Sequence, residues 1–275
     1  MADRQLFCLA VLFYVVAFVH GAMGFRRGFK QPGVGHYFIL GVGLVAHTVS
    51  MAMRGIALGR CPVTNLYEAT VFVAWPVAIG CFGVALVSNL RFISGLGTPV
   101  LCVLGLVALV PRMDTHPPEI TFTPGITTLH MSLALLGYGA FGLAALVSAM
   151  YLVQEHDLRF RRLRALTTMF PPLEQLDSAA PALVGAGWIL LSAGVVIGMA
   201  WLKRTSGVFL KADPKILWAI FVWTCYGLLL GLRHWRGLKG RMFAWPSIAC
   251  FGFVLLTYWG FSLLSEIHNP YWTQW

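Results

Sequence analysis

LHMSLALLGYGAFGLAALVSAMYLV, residues 129–153, runs through 25 positions without one Asp, Glu, Lys or Arg. A helix rises about 1.5 Å per residue, so some 20 apolar residues cross a hydrocarbon core of ~30 Å, and within one segment only a helix satisfies its own backbone there. The stretch reads as a transmembrane helix. Working outward from it, comparable segments are predicted at 6–25, 37–53, 69–87, 93–110, 182–202, 216–232 and 242–264. The expected fold is all-α and polytopic, with about eight transmembrane helices in one integral membrane domain, 1–275. No internal repeat, low-complexity tract or second domain interrupts it.

Composition agrees. Of 275 residues 58% are hydrophobic and 11% charged, with a mean hydropathy of +0.76, whereas soluble domains carry roughly 25% charged residues. Too little polar surface is left to solvate a globule, which excludes a soluble enzyme, a disordered tail and a secreted disulfide scaffold. The net charge of +10 resides in 20 Lys and Arg placed almost entirely in short gaps between apolar runs. Such charges set topology rather than bind nucleic acid. With the N-terminus outside, inner loops hold 12 basic residues and outer segments 8, four of those in one loop (Lys203, Arg204, Lys211, Lys215). The bias favours N-out and C-out. The length of the first segment and the basic loop after it favour a retained helix over a cleaved signal peptide.

The polar stretch 154–181 is too short for a soluble domain. Leu158, Leu163, Leu166 and Phe170 recur in it at helical spacing among arginines, which predicts a basic amphipathic helix on the inner leaflet, ended by Pro171 and Pro172. Five of the six cysteines lie in apolar segments and no CxxC occurs, so neither a thiol relay nor a zinc site is expected. Nucleotide-binding and hydrolase motifs are also missing.

Chemistry then falls to histidines, aromatics and a few outer charges. His130 is placed at the outer end of the fifth helix, His268 beyond the outer end of the eighth, and His47 inside the second. Two neutral imidazoles from different helices can take opposite faces of a porphyrin as axial ligands. His130 and His268 could form such a pair, with His116 also on the outer side in the loop before the fifth helix, although interfacial histidines also simply hydrogen-bond to headgroups or loops. An ionisable residue inside the bilayer is a stronger pointer to function, which singles out His47. Arg54, seven residues on, shares its helix face. It is either part of the same site or a helix-end cation paired with Glu68.

The outer loop reads Arg60-Cys61-Pro62-Val63-Thr64-Asn65-Leu66-Tyr67-Glu68-Ala69, then Phe72 and Trp75. It resembles the P-x-[ST]-N-x-Y-E…F…W signature of the cytochrome c assembly family (CcsA/ResC). Further resemblances follow in order: Thr123-Pro124-Gly125 with His130 and Tyr138; Asp213-Pro214-Lys215 with Trp218 and Trp223; Arg236-Gly237-Leu238-Lys239-Gly240-Arg241; and Tyr258, Gly260 and His268. The core of the resemblance covers about residues 37–268. It implies that His130 and His268 are the axial pair of an external haem b (protohaem) site. It also implies that His47, with His234, is a possible intramembrane ligand set. Arg54, Arg60, Asn65, Tyr67, Glu68, Trp75, Tyr138, Asp213 and Trp218 become haem-pocket or propionate candidates.

The chain departs from the pattern where the family carries loop tryptophans: Phe209, Leu210, Lys211 and Ala212 precede Asp213, and Ile216 replaces a Glu. Gly231 stands where an inner histidine is expected, with His234 one turn further. These changes resemble the HemX/YpjD branch.

The resemblance implies a haem-handling subunit of a bacterial cytoplasmic (inner) membrane, working beside a CcsB/ResB-like partner and presenting haem at the outer face to apocytochrome c. As no residue resembles a dedicated general acid or base, it implies at most a non-autonomous subunit of a cytochrome c haem lyase. The rivals are a HemX/YpjD-like regulator of haem metabolism and a small-solute transporter. The latter calls for more mid-membrane polar groups than His47, Asn65 and Glu68.

Overall fold

The computed structural model describes residues 2–26, 33–59, 62, 65–83, 92–110, 114, 125–160 and 172–264. They form eight α-helices and no strand: α1 (Ala2–Arg26), α2 (Val34–Leu58), α3 (Leu66–Gly83), α4 (Phe92–Ala108), α5 (Ile126–Arg159), α6 (Leu173–Ser206), α7 (Pro214–Arg236) and α8 (Arg241–Leu263). Seven are long and apolar enough to cross a bilayer, and α4 carries a shorter apolar segment, Gly97–Ala108. The chain is thus an all-α polytopic membrane protein.

Helix ends are set by local chemistry. Asn65 Oδ1 accepts from the Glu68 amide at 2.7 Å and so caps α3, while Asp213 Oδ1 accepts from Lys215 N at 2.9 Å at the start of α7, with Pro214 at its first position. α6 and α7 stop at Gly207 and Gly237 in the left-handed region, φ 74° and 63°.

A proline inside α6 accounts for one departure from the sequence reading. Residues 154–159 continue α5 and 173–181 open α6, so both ends of the polar stretch 154–181 belong to long helices of the bundle. Its middle, with Leu163, Leu166, Phe170 and Pro171, lies outside the described residues. Pro172 precedes a helix, at the N-cap of α6. Pro181, without an N–H, leaves the Asp177 carbonyl without its intrahelical donor, and Arg233 Nη2 supplies one at 2.9 Å. In α4 the hydroxyl of Thr98 likewise donates to Gly95 O at 3.2 Å, the carbonyl that Pro99 leaves free.

Packing divides the bundle into α1–α4 and α5–α8. In the first half Tyr14, Leu40, Ala78, Cys81 and Leu101 are buried together. In the second, Phe141 stacks on Tyr226 at 3.6 Å within the main core. Between apolar helices in lipid the hydrophobic effect gives little net drive, so close backbone approach matters more. α5 and α6 meet where a Cβ on Gly137 would stand 2.9 Å from Gly187 O. α3 and α5 join the halves and run parallel, Pro76 meeting Gly139 and Gly80 meeting Leu143.

One end of the bundle therefore gathers the starts of α1, α3, α5 and α7 and the ends of α2, α4, α6 and α8. Contacts across it confirm the alternation: Arg54 with Asp3 and Glu68, Arg4 with Leu109 O, His130 with Gly194, and Lys215 over Tyr258. At the opposite end Arg233 grips Asp177 with both terminal nitrogens at 3.1 Å, and Gly240 N donates to the same carboxylate.

Candidate functional site

Asn65, Tyr67, Glu68, His130, Tyr138, Asp213 and Trp218 all come to the first end of the bundle, but as two separate constellations. The α1–α4 half holds a charge cluster around Arg54. Its guanidinium donates to Glu68 Oε1 at 3.0 Å, to Asp3 Oδ2 at 3.0 Å and to both oxygens of Asp114. Asn65 Nδ2 also reaches Asp114, at 3.1 Å, and Arg54 lies over the buried Tyr67 ring, 4.7 Å from its centroid. A guanidinium in apolar surroundings is tolerated only when its donors are met by charge. Arg54 is thus the partner of Glu68, one of the two roles that the sequence allowed, and Asp3 and Asp114 join it from α1 and the segment after α4. Neither acid was singled out from sequence; the scarcity of acids, 10 in the whole chain, is the signal that marks them.

Deeper in the same half, His47 is fully buried. Val71 O lies 3.1 Å from its Nε2, and a carbonyl only accepts, so Nε2 carries the proton; Tyr14 O–H then donates to Nδ1 at 3.0 Å. Both ring nitrogens are committed, and ligation of iron by His47 requires one bond to break. His36 is closed in the same way, donating from Nδ1 to Ala17 O at 2.9 Å and accepting from the Ser94 hydroxyl at 3.1 Å. His234 is not brought to His47: it is exposed at the far end of α7, a helix packed on α6 and α8, whereas α2 packs on α1 and α3.

The α5–α8 half presents a different histidine. His130 Nδ1 donates to Gly194 O at 2.7 Å, and among the described residues no side chain or backbone group bonds its Nε2. The ring is half-buried, with the Lys215 ammonium near enough to interact electrostatically. Two turns below, Tyr138, Trp218 and Tyr258 form an edge-to-face triad with centroids 5.7–5.9 Å apart. Trp218 Nε1 is held by Thr257 Oγ1 at 2.7 Å, and Lys215 Nζ sits 4.9 Å from the Tyr258 centroid. Asp213 serves as the N-cap of α7, and Trp75 hydrogen-bonds Thr48 at 2.9 Å on the α2–α3 side. Arg60 and His268 lie outside the described residues.

An imidazole whose Nδ1–H is tied to a carbonyl and whose Nε2 lone pair has no protein partner is the arrangement a metal-ligating histidine uses. The donor set fits a haem iron on that side. The apolar cavity beside the triad, lined by Thr70, Leu104, Tyr138 and Tyr258, measures about 30 Å³, far below the ~300–1,000 Å³ of ordinary ligand pockets. This cavity is too small to enclose a porphyrin.

Sequence comparison relates the chain to known proteins. The family model for cytochrome C assembly protein matches residues 63–268. The chain is 24% identical over 245 residues to cytochrome c biogenesis protein CcsA of Guillardia theta, covering 82% of this chain and 81% of that protein. It is 25% identical over 267 residues to protein HemX of Bacillus subtilis (strain 168), covering 96% and 94%. It is 28% identical over 271 residues to protein HemX of Brevibacillus brevis, covering 97% and 98%. The chain belongs to the cytochrome c assembly protein family and is a multi-pass membrane protein related to cytochrome c biogenesis.

Proposed function

We propose that this protein holds haem b at the outer face of a bacterial cytoplasmic membrane, with His130 and His268 as axial ligands, and presents it to apocytochrome c beside a CcsB/ResB-like membrane partner. The observation that carries the reading is the His130 ring, fixed through Nδ1 and unpartnered at Nε2. The end of the bundle bearing His130 is assigned to the outside because the sequence segments belonging to the opposite end hold 12 of the 20 basic residues.

In this reading α6 orients the His130 imidazole, and the Tyr138–Trp218–Tyr258 triad stiffens the helix ends behind it. Lys203, Arg204 and Lys211 offer exposed cations for the propionates. The guanidinium of Arg54 is already neutralised by its own carboxylates, and we assign it a structural role. Haem, when bound, supplies the vinyl groups on which thioether bonds to cysteine are built; the protein contributes ligation and placement.

A second reading, a HemX-like regulator of haem metabolism, is favoured by the absence of loop tryptophans at positions 209–212 and by the nearly end-to-end match to the HemX proteins. Deletion separates the two. Loss of covalently haem-stained c-type cytochromes, restored by the wild-type gene but not by its His130→Ala or His268→Ala form, is expected of the assembly subunit. Unchanged cytochromes in the deletion strain would leave the regulator.

A further inference from the structure

We propose that Gly194 and Gly198 of α6 are positioning residues that set the tautomer of His130 and aim its Nε2 lone pair out of the helix pair. The inference rests on the reading of His130 as a haem ligand, yet its physical content concerns the imidazole alone and is measurable without haem.

In a helix the Gly194 carbonyl accepts from the N–H of Gly198, four residues on. A carbonyl oxygen has a second lone pair, and His130 Nδ1 takes it at 2.7 Å. Lateral access to a helical carbonyl is unusual, because each Cβ tilts toward the helix N-terminus and covers the turn that precedes it. The residue that would cover Gly194 O is residue 198, and it is glycine. A Cβ there would stand 2.7 Å from His130 Cε1 and 2.8 Å from Nδ1, far inside contact distance. At Gly194 itself a Cβ would meet the His130 carbonyl at 3.2 Å and Ala134 N at 3.3 Å, so this glycine also lets α5 approach. The consequence is directional. With Nδ1 donating to a main-chain acceptor, the neutral ring must carry its lone pair on Nε2, the atom that lacks a protein partner among the described residues.

A side chain at 198 displaces the ring, breaks the Nδ1–H bond and releases the tautomer. Outer-shell partners of this kind change metal affinity by about 10–100-fold when removed.

The test uses the full-length protein in detergent, prepared free of haem and labelled with ¹⁵N-histidine, with His130→Gln identifying the resonances of His130. Wild type is expected to show an unprotonated Nε2 and a protonated Nδ1. Gly198→Ala is expected to shift His130 toward the Nε2–H form or a mixture, and to weaken haem binding in titration by about tenfold or more. Gly185→Ala, on the same helix with open space around the added methyl, controls for a general effect on α6 and is expected to match wild type. A protonated Nε2 in wild type overturns the proposal with no variant needed, as does an unchanged His130 spectrum in a folded Gly198→Ala protein. If the tautomers behave as expected but wild type takes up no haem, the positioning stands and the haem reading fails.

Discussion

His47 and His130 are both histidines of transmembrane helices, one in each half of the bundle, and the sequence alone offers both as ligands. The structure separates them by the number of partners. In the α1–α4 half every buried histidine nitrogen described is bonded, and Arg54 faces three carboxylates. In the α5–α8 half His130 bonds on one side only. A buried polar group left unpaired is costly in lipid, so complete pairing marks a structural element. A half-paired imidazole at a helix end, where it is only partly buried, incurs less of that cost, and in our proposal it is the open ligand position.

The greatest disruption is expected at Arg54. Arg54→Met leaves Asp3, Glu68 and Asp114 close together with only Arg4, 3.6 Å from Asp114, as a cation beside them, and removing one partner from a buried ion cluster costs about 3–5 kcal/mol. A marked fall in the melting midpoint in detergent checks it, with Arg54→Lys intermediate because an ammonium lacks the planar fork. A variant as stable as wild type would remove the claim that the cluster closes this half.

His47→Phe keeps the ring volume but strands the Tyr14 hydroxyl, for a cost of about 1–3 kcal/mol. Pairing it with Tyr14→Phe should recover part of that loss, which a double-mutant cycle on melting data would read as coupling. Additive losses would argue that the two do not act together.

Smaller still is the expected stability change at His130→Phe. The residue loses one hydrogen bond, and Gly194 O keeps its helical donor, so the change is of the order of 1 kcal/mol or less. A penalty comparable to that of His47→Phe would erase the contrast between the two halves. Trp218→Phe, which breaks the 2.7 Å bond to Thr257, belongs to the same range, about 0.5–1.5 kcal/mol, because Thr257 still donates to Phe253 O at 2.7 Å.

Long apolar runs made the helices legible, since composition alone decides what can cross a bilayer. The polar extensions of α5 and α6 were not. Pro181 looks like a boundary until Arg233, 52 positions later, is seen to satisfy the carbonyl of Asp177. At the site, the motif spacing brought out His130, Tyr138, Asp213 and Trp218, whereas the fate of each His nitrogen depends on partners from other helices. Val71 and Tyr14 close His47 from α3 and α1. Gly194 orients His130 from α6, and only the Gly194-x-x-x-Gly198 spacing, typical of close helix contacts in membranes, hints at it in the sequence.

The most direct test of His130 as the open ligand is the haem content of protein purified in mild detergent from haem-sufficient cells, read by oxidised and reduced absorption spectra and the pyridine haemochrome. Wild type and His47→Phe are expected to carry a b-type spectrum, and His130→Ala to lose most of it while remaining folded. A His130→Ala protein that keeps the wild-type haem content, or a loss confined to His47→Phe, would contradict the account.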